Sequence, residues 1–174
     1  MNSYGVIKRL GETWAGHSPA GKTVRLWNVY GPAESVGERS HVISDWIHSC
    51  TNGGVVRSRT DGLEKRQFLY VADCADGLVE MMRSFDTLEP VTDMSSGQWI
   101  TMRDLGQHVT RLAPGPCSIE YGADPAVARQ QVEPKLSAGL HNVWKGTTSL
   151  QDGLSLVYSD IERSKGSASG NGEL

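Results

Sequence analysis

The sequence predicts an α/β fold, and three observations predict it. Segments rich in β-branched and aromatic residues alternate along the chain with segments whose apolar residues recur at helical spacing. Stretches bearing Gly and Pro separate them. Strands interleaved with helices, rather than grouped apart, mark the α/β class.

Residues 4–15 read as a first helix, which Gly16-His17-Ser18-Pro19-Ala20-Gly21 breaks. Thr23-Val24-Arg25-Leu26-Trp27-Asn28-Val29-Tyr30 has strand composition and stops at Gly31-Pro32. Val42, Ile43, Trp46, Ile47 and Cys50 share one face of a second helix, ended by Asn52-Gly53-Gly54. Residues 54–58 and 66–71 read as extended, with Thr60-Asp61-Gly62 as the turn between them. Asp73 is the expected cap of a third helix that turns Leu78, Val79, Met82 and Phe85 inward, with Met81 and Met82 as core filler. Residues 91–95 form a short strand closed by Ser96-Gly97. Thr101 with Asp104 three residues on resembles a capping box, and Leu105, Val109 and Leu112 follow as a stripe up to Pro114-Gly115-Pro116. Ser149 starts a last helix with Leu150, Leu154, Val157 and Ile161 facing the core. Residues 1–164 are expected to be ordered. Residues 165–174, small and polar, are expected to be a disordered tail.

At 174 residues the chain can bury one workable core. A net charge of −3 gives no broad basic field for nucleic acid or anionic lipid. No apolar run reaches the length of a membrane span, and the start lacks the apolar stretch of a signal peptide. Cys50, Cys74 and Cys117 are odd in number and far apart, so reduced thiols in a cytoplasmic setting are expected. The five histidines show no HExxH pattern or ligand-like cluster, so no metal site is expected.

Two short patterns carry possible chemistry. Tyr4 and Lys8 lie four apart on the first helix, so the ammonium can stack near the phenol. A positive charge beside a phenol favours phenolate, which suits a proton-transfer role. The pair is short enough to arise by chance and needs support from elsewhere in the chain. Gly16-His17-Ser18-Pro19-Ala20-Gly21-Lys22-Thr23 spells a phosphate-cradling P-loop, and Asp73 after Phe68-Leu69-Tyr70-Val71-Ala72 could pass for its magnesium partner. That mechanism needs a strand before the loop and a helix after it. Here the order is reversed.

The support for Tyr4 and Lys8 comes from four blocks in one order: YGVIK, VRLWNVYGP, RQFLYVADCADGLVEMM and VTDMSSGQWITMRDLGQHV. Together they resemble the extended short-chain dehydrogenase/reductase family, the NAD-dependent nucleotide-sugar epimerases and dehydratases. The likeness runs from Tyr4 to about Glu162, with TTSLQDGLSLVYSDI similar to the family's last helix. It implies a partial Rossmann-type fold plus the small substrate-binding lobe. Tyr4 would be the acid/base, and Lys8 would hold the nicotinamide ribose of NAD or NADP. Asn28 would meet the diphosphate of a nucleotide sugar, and Arg66 its phosphate or ribose. Arg129 resembles a later nucleotide-contacting arginine.

The family's Gly-rich turn after a first strand, and its catalytic serine or threonine, have no match in this sequence. The expectation is a C-terminal half with little activity alone, whose strand edge and first helix are covered by a second copy or by a chain supplying the other half. The competing reading is a non-enzymatic oligomeric binding protein derived from such an enzyme.

Overall fold

The computed structural model describes residues 3–34, 37, 40–124 and 144–169. In chain order they form α1 (Ser3–Gly16), β1 (Thr23–Leu26), β2 (Val29–Tyr30), α2 (Val42–Thr51), β3 (Val55–Thr60), β4 (Lys65–Arg66), β5 (Leu69–Tyr70) and α3 (Val71–Arg83). A 3-10 turn at Phe85–Thr87 then leads to β6 (Val91–Met94), β7 (Ile100–Thr101), α4 (Met102–Leu112), β8 (Ser118–Asp124) and α5 (Leu150–Ser169).

The strands pair two by two. β1 with β6, β2 with β5 and β3 with β8 run parallel, while β4 and β7 are antiparallel. Two apolar clusters result. One joins α2, α4 and α5 over β3 through Ile43, Trp46, Ile47, Leu105, Val109 and Leu154. The other holds α3 on β5 and β6 through Leu69, Cys74, Met81 and Met94.

Two helices, α4 and α5, start as their sequences dictate. Thr101 Oγ1 accepts from Asp104 N at 3.0 Å, and Ser149 Oγ accepts from Asp152 N at 3.1 Å, each satisfying an N-terminal amide. The expected core faces of α2 and α5 are inward: Leu154 and Val157 are buried, and Leu150 and Ile161 pack against them.

Five expectations are corrected. The strand expected over residues 23–30 is two, because Asn28 takes a positive φ of 21° between them. Residues 66–71 are likewise not one strand: β4 and β5 are separate, and Val71 already opens α3. β8 was not anticipated; it pairs with β3 from Val55–Ser118 to Thr60–Asp124.

α3 is rotated from its expected setting. Asp73 does not cap it; its carboxylate accepts from Thr148 N at 2.9 Å, in the approach to α5. The inward face is Cys74, Gly77 and Met81, while Leu78, Val79 and Phe85 are exposed and Met82 is 78% exposed. The reason is close approach: a Cβ at Gly77 would sit 2.9 Å from the Trp144 side chain and 3.0 Å from Met94 Cε. The small residues let the helix lie against β6, and the large ones are left outside.

The cysteines are not all reduced: Cys50 and Cys117 form a disulfide with a Cα–Cα distance of 5.1 Å, and buried Cys74 is the free thiol. Parallel pairing explains it. Val55 is opposite Ser118, so the end of α2 and the residue before β8 meet. Finally, residues 165–169 are helical rather than a loose tail. Lys165 Nζ donates to Thr51 Oγ1 at 2.7 Å and to Glu162 Oε1 at 3.0 Å, which ties the end of α5 to α2.

The face assignment has a direct check in chemical denaturation. Leu154→Ala, at a fully buried position, is expected to cost about 2–5 kcal/mol. Met82→Ala is expected to stay within about 0.5 kcal/mol of wild type.

Candidate functional site

α1 presents Tyr4 and Lys8 as their spacing requires. Lys8 Nζ stands 5.4 Å from the centroid of the Tyr4 ring, so the two share one side of the helix. None of the described α1 residues is buried, and Tyr4 is 67% exposed. The helix is joined to β1 by an ion pair: Arg25 Nε and Nη2 donate to the two carboxylate oxygens of Glu12 at 2.7 and 2.8 Å. Hydrogen bonding from Arg25 holds the Glu12 carboxyl below its ordinary value against the opposing effect of burial, with the charges of Arg25 and Arg9 adding to it.

Past β1 the chain changes partners. Trp27 N donates to Met94 O of β6, the last such bond on that side. Its indole Nε1 donates to Asp93 Oδ1 at 3.2 Å, and its ring meets Trp99 edge-on with centroids 5.7 Å apart. Asn28 then turns toward β5: its carbonyl accepts from Leu69 N at 3.2 Å, and its Nδ2 donates to Gln67 O at 2.8 Å. Asn28 is therefore bonded to the residue immediately after Arg66. The fold thus sets Asn28 against the backbone that follows Arg66, 38 positions on.

Arg66 is half-buried on β4, opposite Ile100 of β7. Its guanidinium lies 3.9 Å from Glu64 Oε1, and Glu64 in turn accepts from Thr60 Oγ1. Gln67, fully buried, points the other way and accepts from Gly97 N at 2.9 Å. Beyond β2, a Cβ at Gly31 would meet Val71 Cγ1 at 2.2 Å, so the loop can pass only as glycine. Ala33 N then donates to Asp160 Oδ2 of α5 at 2.7 Å, which anchors the loop that leaves the site. Arg129 lies outside the described residues.

The P-loop spelling has no P-loop geometry. Its residues leave helix α1 and enter strand β1, and Lys22 Nζ is bonded to Leu88 O and stacked 5.6 Å from the Phe85 ring centroid. A cavity of about 290 Å³ lies elsewhere, lined by Phe68, Tyr70, Trp99, Asp104 and His108 among others. None of Tyr4, Lys8, Asn28 and Arg66 lines it. Among the described residues no three His, Cys, Asp or Glu side chains gather as a metal site, and no helix is long and apolar enough to cross a membrane.

The model of the NAD dependent epimerase/dehydratase family matches residues 1–96. The chain belongs to that family. Among curated family members, UDP-glucuronic acid decarboxylase 3 of Arabidopsis thaliana is 27% identical over 141 residues, which is 80% of this chain and 40% of the relative. An epimerase of Methanothermobacter thermautotrophicus superposes with a TM-score of 0.82 at 19% identity, over 97% of this chain and 52% of that one. The UDP-glucuronic acid 4-epimerase of Bacillus cereus, in complex with UDP-glucuronic acid and NAD, superposes with a TM-score of 0.71 at 21% identity, over 92% and 52%. The epimerase fold is thus a Rossmann-type α/β fold, of which this chain spans about half the solved length.

Sequence reading missed Glu12. The signal was present: Tyr4, Lys8 and Glu12 are each four apart, one stripe of a helix. Nothing local in the sequence announces that the third member meets Arg25.

The lowered Glu12 carboxyl makes the attachment of α1 pH-dependent. Its stabilisation is complete above the unfolded value of about 4.3 and is lost as pH falls through the lower folded value. Arg25 stays charged throughout, and Asp93 is the other carboxylate beside it. The stability advantage of wild type over Glu12→Gln, read by thermal melts, is expected to be full at neutral pH and to vanish in acid. An advantage that grows on acidification contradicts this.

Proposed function

We propose that the chain carries the substrate side and the proton-transfer pair of an NAD-dependent nucleotide-sugar epimerase or dehydratase. The observation that carries this reading is the junction of Asn28 with the segment of Arg66, joined through Asn28 Nδ2 and Gln67 O. A forked guanidinium such as that of Arg66 suits a sugar-nucleotide diphosphate. The names of two relatives, a UDP-glucuronic acid decarboxylase and a UDP-glucuronic acid 4-epimerase holding UDP-glucuronic acid, support that substrate class.

Tyr4 is the proposed acid/base for a sugar hydroxyl, with the Lys8 ammonium beside it. Lys8 would also hold the nicotinamide ribose of NAD or NADP; the cofactor, when bound, supplies the hydride acceptor. The described residues fit that nicotinamide end. A Gly-rich turn between a strand and a helix, which would cradle the pyrophosphate, is not among them. We therefore infer that turnover requires dinucleotide-binding strands beyond the described residues.

The same inference extends to partners. On α1, Ile7 and Leu10 are each 67% exposed and Trp14 is 82% exposed. Among the described residues β1 pairs on one side only, with β6. A second copy, or a chain bearing the dinucleotide-binding strands, would cover both surfaces.

Two titrations and one sizing measurement test this. Calorimetry with UDP-glucuronic acid is expected to show binding that weakens at least about tenfold in Arg66→Ala, the loss of a charge-assisted contact. NADH fluorescence tests the nicotinamide end, and light scattering tests association. Binding of neither ligand favours a non-enzymatic interaction protein. A monomer at micromolar concentration rules out self-association.

A further inference from the structure

We propose that Glu12 and Arg25 are positioning residues, whose paired hydrogen bonds fix the rotation of α1 so that Tyr4 and Lys8 stand level with Asn28. This rests on the reading of Tyr4, Lys8 and Asn28 given above. It concerns how those residues are held.

No described side chain of α1 is buried, so packing constrains the helix's rotation about its axis only weakly. The two short bonds to Arg25 set it, because a forked guanidinium meeting both carboxylate oxygens admits one orientation. Tyr4, Lys8 and Glu12 drift by only about 40° per step of four residues. Fixing Glu12 therefore fixes the stripe.

The distances agree along the helix as well. A short turn after Gly16 reverses the chain into β1, so the start of α1 lies toward the end of β1. Tyr4 is eight residues from Glu12, about 12 Å along a helix. Asn28 is three residues past Arg25, about 10 Å along extended chain. The ion pair places the two ends at matching heights.

Arg25 also has a charged neighbour on the adjoining strand. Its partner across the sheet is Asp93, a buried carboxylate that also accepts from the indole of Trp27, the residue before Asn28. Asp93 thus stands both opposite Arg25 in the sheet and against the indole of the residue before Asn28.

Hydrogen exchange and NADH titration together test the proposal. Glu12→Gln and Arg25→Gln are each expected to speed exchange of the α1 amides at least about tenfold, with β3 and β8 unchanged. Each is also expected to weaken NADH at least about fivefold, and the reversed pair, Glu12→Arg with Arg25→Glu, to restore both readings. Unchanged exchange in the single variants, or no recovery in the reversed pair, overturns the proposal. A loosened α1 with NADH affinity intact overturns the positioning role. Wild-type protein that binds neither NADH nor UDP-glucuronic acid counts against the proposed function, while the exchange comparison still decides whether the pair holds α1.

Discussion

The structure turns on the peptide around Asn28. Up to Trp27 the chain belongs to β6, and from Asn28 onward it belongs to β5. A residue at φ 21° makes that change of partner, and its side chain braces the new one through Gln67 O. Asparagine tolerates such backbone better than most residues, and its amide can bond the neighbouring strand. Val24 before this joint and Val29 after it pack against one apolar cluster, and Tyr30, one residue further on, belongs to the other.

How legible this was depends on the scale. Element types in α1, α2, α4 and α5 were readable, because their apolar stripes and their Thr101 and Ser149 caps are local signals. The fold class followed from their alternation with strands. The break at Asn28 was not readable, since a β-rich run with one asparagine looks continuous until its two partners are known. α3 misled for a physical reason: the sequence offers Leu78, Val79 and Met82 as the natural core, yet closeness to β6 is set by Gly77 and Cys74. Size marked the wrong face. The Cys50–Cys117 bond was hidden similarly, because it depends on the register of β3 with β8, a strand whose modest apolar content gave little warning.

For the site, residue types were legible and assembly was not. Tyr4 and Lys8 share a helix, so spacing alone places them on one side. Asn28 needed the fold to reach the segment after Arg66. The Glu12–Arg25 bridge joins helix to strand and involves no sequence neighbours, so only the tertiary structure brings it to view. The P-loop spelling shows the converse: eight matching letters mean little where a helix precedes the loop and a strand follows it.

The most direct measurement is a crystal structure of the protein with UDP-glucuronic acid. The predicted result is a diphosphate whose oxygens lie within about 3 Å of the Asn28 amide or the Arg66 guanidinium, as charge-assisted hydrogen bonds require. Nucleotide density confined to the cavity between Trp99 and His108, touching neither residue, would contradict the placement of substrate at the Asn28 joint.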